Sequence, residues 1–168
     1  MRHILDANIL IYLVKAGLTQ EFINLVENEI VIDTNVYYET VERGINNNYP
    51  DAFLVEDFLK KNQIPIIPVE ISSDLSKFRD PGETSCYVLA KSKGLCISSD
   101  IRANKKFSNF KIQCIQLDTY FYKQFLNKRI EKNRLIDILG DLKSVDGTSA
   151  NRVSVFLELL SKGGVKNE

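Results

Sequence analysis

Asp6, Glu39, Glu83 and Asp100 are the residues of this sequence best placed to do chemistry. Asp6 closes the apolar run His3-Ile4-Leu5 and opens Ala7-Asn8-Ile9-Leu10; Asp100 closes Leu95-Cys96-Ile97-Ser98-Ser99 and opens Ile101-Arg102-Ala103. A carboxylate between a strand and a helix stands where parallel strands present ligand sites, at their carboxyl ends. Several carboxylates meeting there, without a basic partner beside each, repel one another, and a divalent cation is the chief means of relieving that repulsion. Mg²⁺ or Mn²⁺ is the expected ion, and phosphodiester hydrolysis the reaction that most often uses one.

Each acid also has a structural reading. Aspartate is a preferred helix N-cap, which accounts for Asp6 and Asp100 equally well. Glu39 flanks the apolar stripe Val36, Tyr37, Thr40 and Val41 of its helix. Glu83 opens a helix, where negative charge complements the macrodipole. Asp80 reads as a turn residue ahead of Pro81. Among the supporting groups, Asn8 either steadies Asp6 or a metal-bound water, or caps the helix itself. Ser98 and Ser99 bond ligand or backbone. Arg102, Lys105 and Lys106 hold flanking phosphates or pair with acids.

The elements that must position these residues follow from the hydrophobic periodicity. Strands are predicted at 2–5, 29–33, 64–69, 95–98 and 111–115. Helices are predicted at 8–15, at 21–28 with Thr19 as cap, and from Thr34 through Arg43 with Gly44 as the stop. A further helix at 51–61 carries Phe53, Leu54, Phe58 and Leu59 on one stripe. Asp80-Pro81-Gly82 is predicted as a turn, followed by helices at 83–93 and 100–107. Pro65 and Pro68 confine their strand to an edge or a strand end. Strands alternating with helices specify an α/β fold with a mainly parallel sheet. From Thr119 the pattern is helical only, with predicted helices at 130–142 and 150–160, the last ended by Gly163-Gly164.

Composition bounds the alternatives. The 168 residues, 44% apolar and 26% charged with zero formal net charge, suit one soluble domain with an appendage and argue against binding nucleic acid by bulk charge. Charge is nevertheless segregated: residues 1–58 hold three bases against ten acids, and residues 101–134 hold nine bases against two acids. One half could hold metal while the other meets phosphates. Cys86, Cys96 and Cys114 have no framework spacing and read as buried thiols in a reducing compartment. With neither a signal peptide nor a membrane-spanning run, the expected location is cytoplasmic. A single histidine, His3, no nucleophile elbow, no Walker A loop and no zinc spacing turn the reading from nucleophile or nucleotide chemistry to metal–carboxylate chemistry.

Four segments in order, Ile4-Leu5-Asp6-Ala7-Asn8, Val36 through Gly44, Gly82-Glu83 through Lys91, and Ser99-Asp100-Ile101-Arg102-Ala103, resemble the PIN-domain family of metal-dependent nucleases, the VapC-like ribonucleases with a helical C-terminal tail in particular. The resemblance spans about residues 1–117. It implies a three-layer α/β/α sandwich with C-terminal helices, a nuclease domain at 1–118 and a helical extension at 119–168. It places the acidic quartet on Asp6, Glu39, Glu83 and Asp100, with Asn8 as companion of the first, around Mg²⁺ or Mn²⁺. It further implies single-stranded RNA as substrate, a homodimer, and for many members an antitoxin partner. Ile101 stands where some relatives carry a second acid. A PIN-like binding module without catalysis and a phosphohydrolase of small esters are the competing expectations.

Overall fold

The computed structural model of the protein describes residues 2–78 and 80–162. Its centre is a five-stranded, all-parallel sheet in the order β3-β2-β1-β4-β5: β1 Arg2–Leu5, β2 Ile30–Asp33, β3 Ile66–Ile67, β4 Gly94–Ile97 and β5 Gln113–Ile115. Leu5 is paired with Ile97, and Ile4 with Val31, so the ends of β1, β2 and β4 lie side by side. Every residue of β2 and β4 is buried, as a parallel sheet covered on both faces requires.

The crossovers are helical. α1 (Ala7–Lys15) and α2 (Thr19–Leu25) join β1 to β2. α3 (Thr34–Tyr37), a π-helical segment Tyr38–Glu42, α4 (Arg43–Asn46) and α5 (Pro50–Lys61) join β2 to β3. α6 (Pro81–Ala90) packs against β1, β2 and β4, and α7 (Ile101–Asn109) against β5. With right-handed crossovers the turn-back at β1 and β4 puts α1 and α5 on one face and α6 and α7 on the other. The sandwich is therefore the three-layer α/β/α arrangement expected.

Several local expectations are corrected. The strand at 64–69 shrinks to Ile66–Ile67, because Pro65 and Pro68 on either side have no N–H to donate; Pro65 contributes only its carbonyl, which accepts from Ile32 N at 3.1 Å. Thr19 lies inside its helix, which ends at Leu25, and Leu18 occupies the cap position without a side-chain bond. Asp33, not Thr34, caps α3. Asp80 and Pro81 start α6 as N-cap and first helical residue, where proline's missing N–H and fixed φ cost nothing. Phe53 and Leu54 are about half exposed; α5 instead buries Ala52, Val55, Phe58 and Leu59. The cause is Gly44, which does not stop its helix but lets α5 approach it. A Cβ on Gly44 would sit 2.6 Å from Ala52 Cβ. Gly44→Ala is accordingly expected to destabilise the protein by about 2 kcal/mol, an overpacking cost partly offset by alanine's better helix propensity, in a denaturant titration. An unchanged midpoint would show that α4 and α5 separate freely.

The C-terminal helices α8 (Leu117–Leu126), α9 (Lys132–Ser144) and α10 (Ala150–Ser161) follow β5 and share one continuous hydrophobic core with the sandwich. Tyr120 and Phe121 pack on Phe22, Arg134 pairs with Glu21, and Arg129 Nη1 donates to Leu25 O at the open end of α2. The proposed stop at Gly163-Gly164 lies outside the described residues. Cys86 and Cys96 are buried and Cys114 half-buried. Among the described residues no helix is long and apolar enough to cross a membrane.

Candidate metal centre

Asp6, one residue past β1, caps α1: its Oδ1 accepts from Ala7 N at 2.8 Å and its Oδ2 from Ser98 Oγ at 2.7 Å. Ser98 is buried just past the end of β4, the neighbour of β1, and its Oγ also accepts from Asp100 N at 3.3 Å. One hydroxyl thus ties the first and last acids of the quartet together. Asp100 caps α7 through Oδ1, which accepts from Arg102 N at 2.6 Å and Ala103 N at 3.3 Å. Both acids realise the cap geometry. Capping occupies only one oxygen of Asp100, and both residues stand past the carboxyl ends of adjacent strands.

Glu39 reaches this edge from the π-helical segment. The inserted residue of such a segment shifts the phase of the side chains that follow, a distortion often found at functional sites. Asp80 joins it: at Gly82 a Cβ would lie 3.1 Å from Asp80 Oδ1 and 3.8 Å from Glu39 Oε2, so the glycine leaves room for two carboxylates. Glu83 lies on the same helix turn. Its backbone N donates to Asp80 Oδ1 at 2.8 Å, while its side chain pairs with Lys106 Nζ at 2.7 Å. Asp33, at the end of β2, is fully buried. Its Oδ1 accepts from Asn35 N and Val36 N, and its Oδ2 has no partner among the described residues.

Burial dominates the electrostatics of this edge, and neighbouring carboxylates add to it. Burial pushes the Asp6 carboxyl up to about 6, with the charges of Glu39 and Asp80 adding to the rise and the bonds from Ser98 and Ala7 opposing it. Glu39 is raised as well, by burial and then by Asp80 and Asp33, against the pull of Arg43. His3 lies near the opposite end of β1, against the edge of Tyr120, and its imidazole is lowered by burial; it takes no part in this edge.

The remaining sequence candidates fall around the acids. Asn8 is exposed on the first turn of α1, and the cap is Asp6's. Ser99 turns a buried Oγ without a partner and accepts at its carbonyl from Gln116 Nε2 at 3.3 Å. Arg102 and Lys105 are exposed on α7, and Lys106 is held by Glu83. Sequence reasoning passed over Asp33 and set Asp80, a carboxylate competing with Glu83, aside as a turn residue. Asp33 carried the same strand–carboxylate–helix signal as Asp6, in Glu29-Ile30-Val31-Ile32-Asp33-Thr34. Asp80 was legible as an acid three residues before Glu83, but its proximity to Glu39 was not.

Among the described residues no three His, Cys, Asp or Glu side chains converge closely enough to grip an ion as they stand. The donor chemistry nevertheless fits a hard divalent cation: the groups at this edge are carboxylates, they raise one another's affinity for positive charge, and Asp33 keeps a buried oxygen unbonded. The imidazole of His3 lies elsewhere, against Tyr120.

A search of curated proteins returned no match to this chain. A family model described as a PIN domain matches residues 2–114, which include every strand but the last residue of β5 and all the acids above. PIN domains are generally nucleases and typically use divalent metals. With two thirds of its length matched and the acids gathered at the carboxyl edge of a parallel sheet, this chain belongs to the PIN-domain family.

Proposed function

We propose that the protein is a divalent-metal-dependent endoribonuclease that hydrolyses phosphodiester bonds of single-stranded RNA, with Asp6, Glu39, Glu83 and Asp100 as its catalytic, metal-holding residues. The observation that carries the reading is the burial of Asp6 and Glu39 at the sheet edge, which raises both carboxyls, with Glu39 and Asp80 adding to the rise of Asp6 and Asp80 and Asp33 to that of Glu39. Bound there, Mg²⁺ or Mn²⁺ would supply Lewis-acid polarisation of the scissile phosphate and an acidified water. Ser98 orients Asp6 and, through the Asp100 amide, sets the spacing of the two strand-end acids. Asp80 and Asp33 add negative charge around them. Lys106 neutralises Glu83 in the absence of a cation, and with Arg102 and Lys105 it is the nearest source of positive charge for a substrate phosphate.

The reading extends to partners. Tyr38, Tyr49, Phe53 and Leu54 are each more than half exposed, apolar surface that suits a homodimer face or an antitoxin, in keeping with a toxin role. A non-catalytic RNA-binding module is the second reading, favoured by the engagement of Glu83 with Lys106.

Cleavage of labelled single-stranded RNA with Mn²⁺, Mg²⁺ or EDTA separates the two. Cutting that EDTA abolishes supports the nuclease; RNA binding without cutting, and without Mn²⁺ binding by calorimetry, supports the module. The pH dependence follows from Asp6. Because its proton must leave before a cation can bind, Mn²⁺ affinity is expected to fall about tenfold for each pH unit below 6 and to level off above it. Affinity that is flat between pH 5 and 7 would remove Asp6 from the metal site.

A further inference from the structure

A cleft of about 290 Å³ opens beside the acids, lined by Tyr12, Ser99, Ile101, Gln116, Asp146 and Ser149 among others. Ser99 and Ile101 flank Asp100 in the chain. Burial raises the Tyr12 phenol, and the charges of Asp146 and then Asp6 add to the rise, so Tyr12 lies between the cleft and the centre. The far wall comes from the turn and helix start between α9 and α10, outside the residues that the family model matches. That wall is built firmly. Gly147 is seated on the Tyr12 ring, where a Cβ would come within 3.2 Å of Cγ. Behind it the buried Asp118 accepts from Thr148 Oγ1 at 2.6 Å and from Arg152 Nε and Nη2 at 2.6 Å each.

The free groups on the two sides of the cleft, Asp146 on the far wall and Ser99 beside Asp100, point to the occupant. Arg152 is neutralised by Asp118, so it brings no net charge to the cleft. Asp146 is exposed at the lip, and no hydrogen bond or ion pair engages its carboxylate among the described residues. Ser99 Oγ is buried without a partner. A cleft with a free carboxylate and hydroxyls repels a phosphate and suits a flat group that donates hydrogen bonds.

Resting on the nuclease reading, we infer that this cleft seats the nucleobase adjoining the scissile phosphate, and that Asp146 selects cytosine and adenine, which carry an amino group where uracil and guanine carry a carbonyl. Cytosine and adenine present that amino group as a donor, whereas uracil presents a carbonyl to the carboxylate. The C-terminal extension is then the element that sets sequence preference on a shared catalytic edge.

Binding of short labelled oligocytidine, oligoadenosine and oligouridine to the Asp6→Asn protein, by fluorescence anisotropy, tests this without turnover. Roughly tenfold tighter binding of the amino-bearing oligomers over oligouridine is expected, from a carboxylate–amino contact. In Asp6→Asn/Asp146→Gly that ratio should fall to about one. Glycine accepts the φ of +62° at this position, so the variant should melt where its parent does. Equal affinity in the parent, or a ratio that survives the glycine, would overturn the assignment. Wild-type cleavage, read in parallel, reports on the nuclease reading separately: base-selective binding without cleavage would sink that reading while leaving base selection by Asp146 standing.

Discussion

Asp6→Asn is expected to cut RNA at least about 10³-fold more slowly than wild type, yet to melt higher in metal-free buffer at neutral pH. The first effect follows from removing a charge on which metal binding depends; several kcal/mol of transition-state stabilisation converts to about three powers of ten. The second follows from linkage. The Asp6 carboxyl is raised to about 6 from an ordinary 3.8. In the unfolded chain it loses its proton near pH 4, whereas the native state holds it until about pH 6. Between those values the native state binds more protons, so stability falls as pH rises through the window. About two units correspond to about 3 kcal/mol, an upper figure that asparagine recovers above pH 6 and not below pH 4. For a chain of this size that is about 6–10 °C in melting temperature. Scanning calorimetry from pH 4 to 8, with EDTA and then with Mn²⁺, reads both effects. Mn²⁺ should raise the wild-type melting temperature and leave the variant where it was. Equal melting of the two proteins at pH 7 without metal would show that Asp6 is not destabilising, and equal stabilisation by Mn²⁺ that it is not a ligand.

Arg152→Ala should destabilise the C-terminal helices by about 3 kcal/mol, because it leaves the Asp118 carboxylate buried without its counter-ion. Asp118 is 1% exposed, and after the substitution only Thr119 and Thr148 would bond it. The double variant Asp118→Asn/Arg152→Ala removes both charges and should recover most of the loss. A structural role that was merely additive would make the double variant worse than either single one. Denaturant titration gives the magnitudes, and amide exchange in α10 locates them: Arg152→Ala should raise exchange from Arg152 onward before it affects β1. Because the same pair anchors the turn carrying Asp146, the variant should also weaken discrimination between bases.

The alternation of short apolar runs and amphipathic segments was enough to read an α/β fold with a parallel sheet, since periodicity of two against 3.6 is a property of local sequence. Asp6 and Asp100 were equally legible, as a strand-ending acid that opens a helix is a local pattern. Asp33 shows the same pattern but reads as the end of its strand when the neighbouring Thr34 is taken as the cap. Element ends were less legible. Gly44 looked like a stop and is instead a close-approach residue, because its meaning depends on Ala52 in another helix. Phe53 and Leu54 looked like core and face solvent for the same reason.

Sequence by itself determined the order of strands and helices, the type of each candidate ligand, and a match to the PIN-domain family over residues 2–114. Tertiary structure alone decided which acids become neighbours. Asp80 beside Glu39 across Gly82, Ser98 bridging Asp6 to Asp100, and Lys106 on Glu83 are contacts between elements many residues apart. It also decided that residues 146–152 wall a cleft next to Asp100. Carboxylate pKa values, unpaired buried oxygens and cleft walls depend on distances of a few ångström between such elements, and distance is a property that local pattern does not carry.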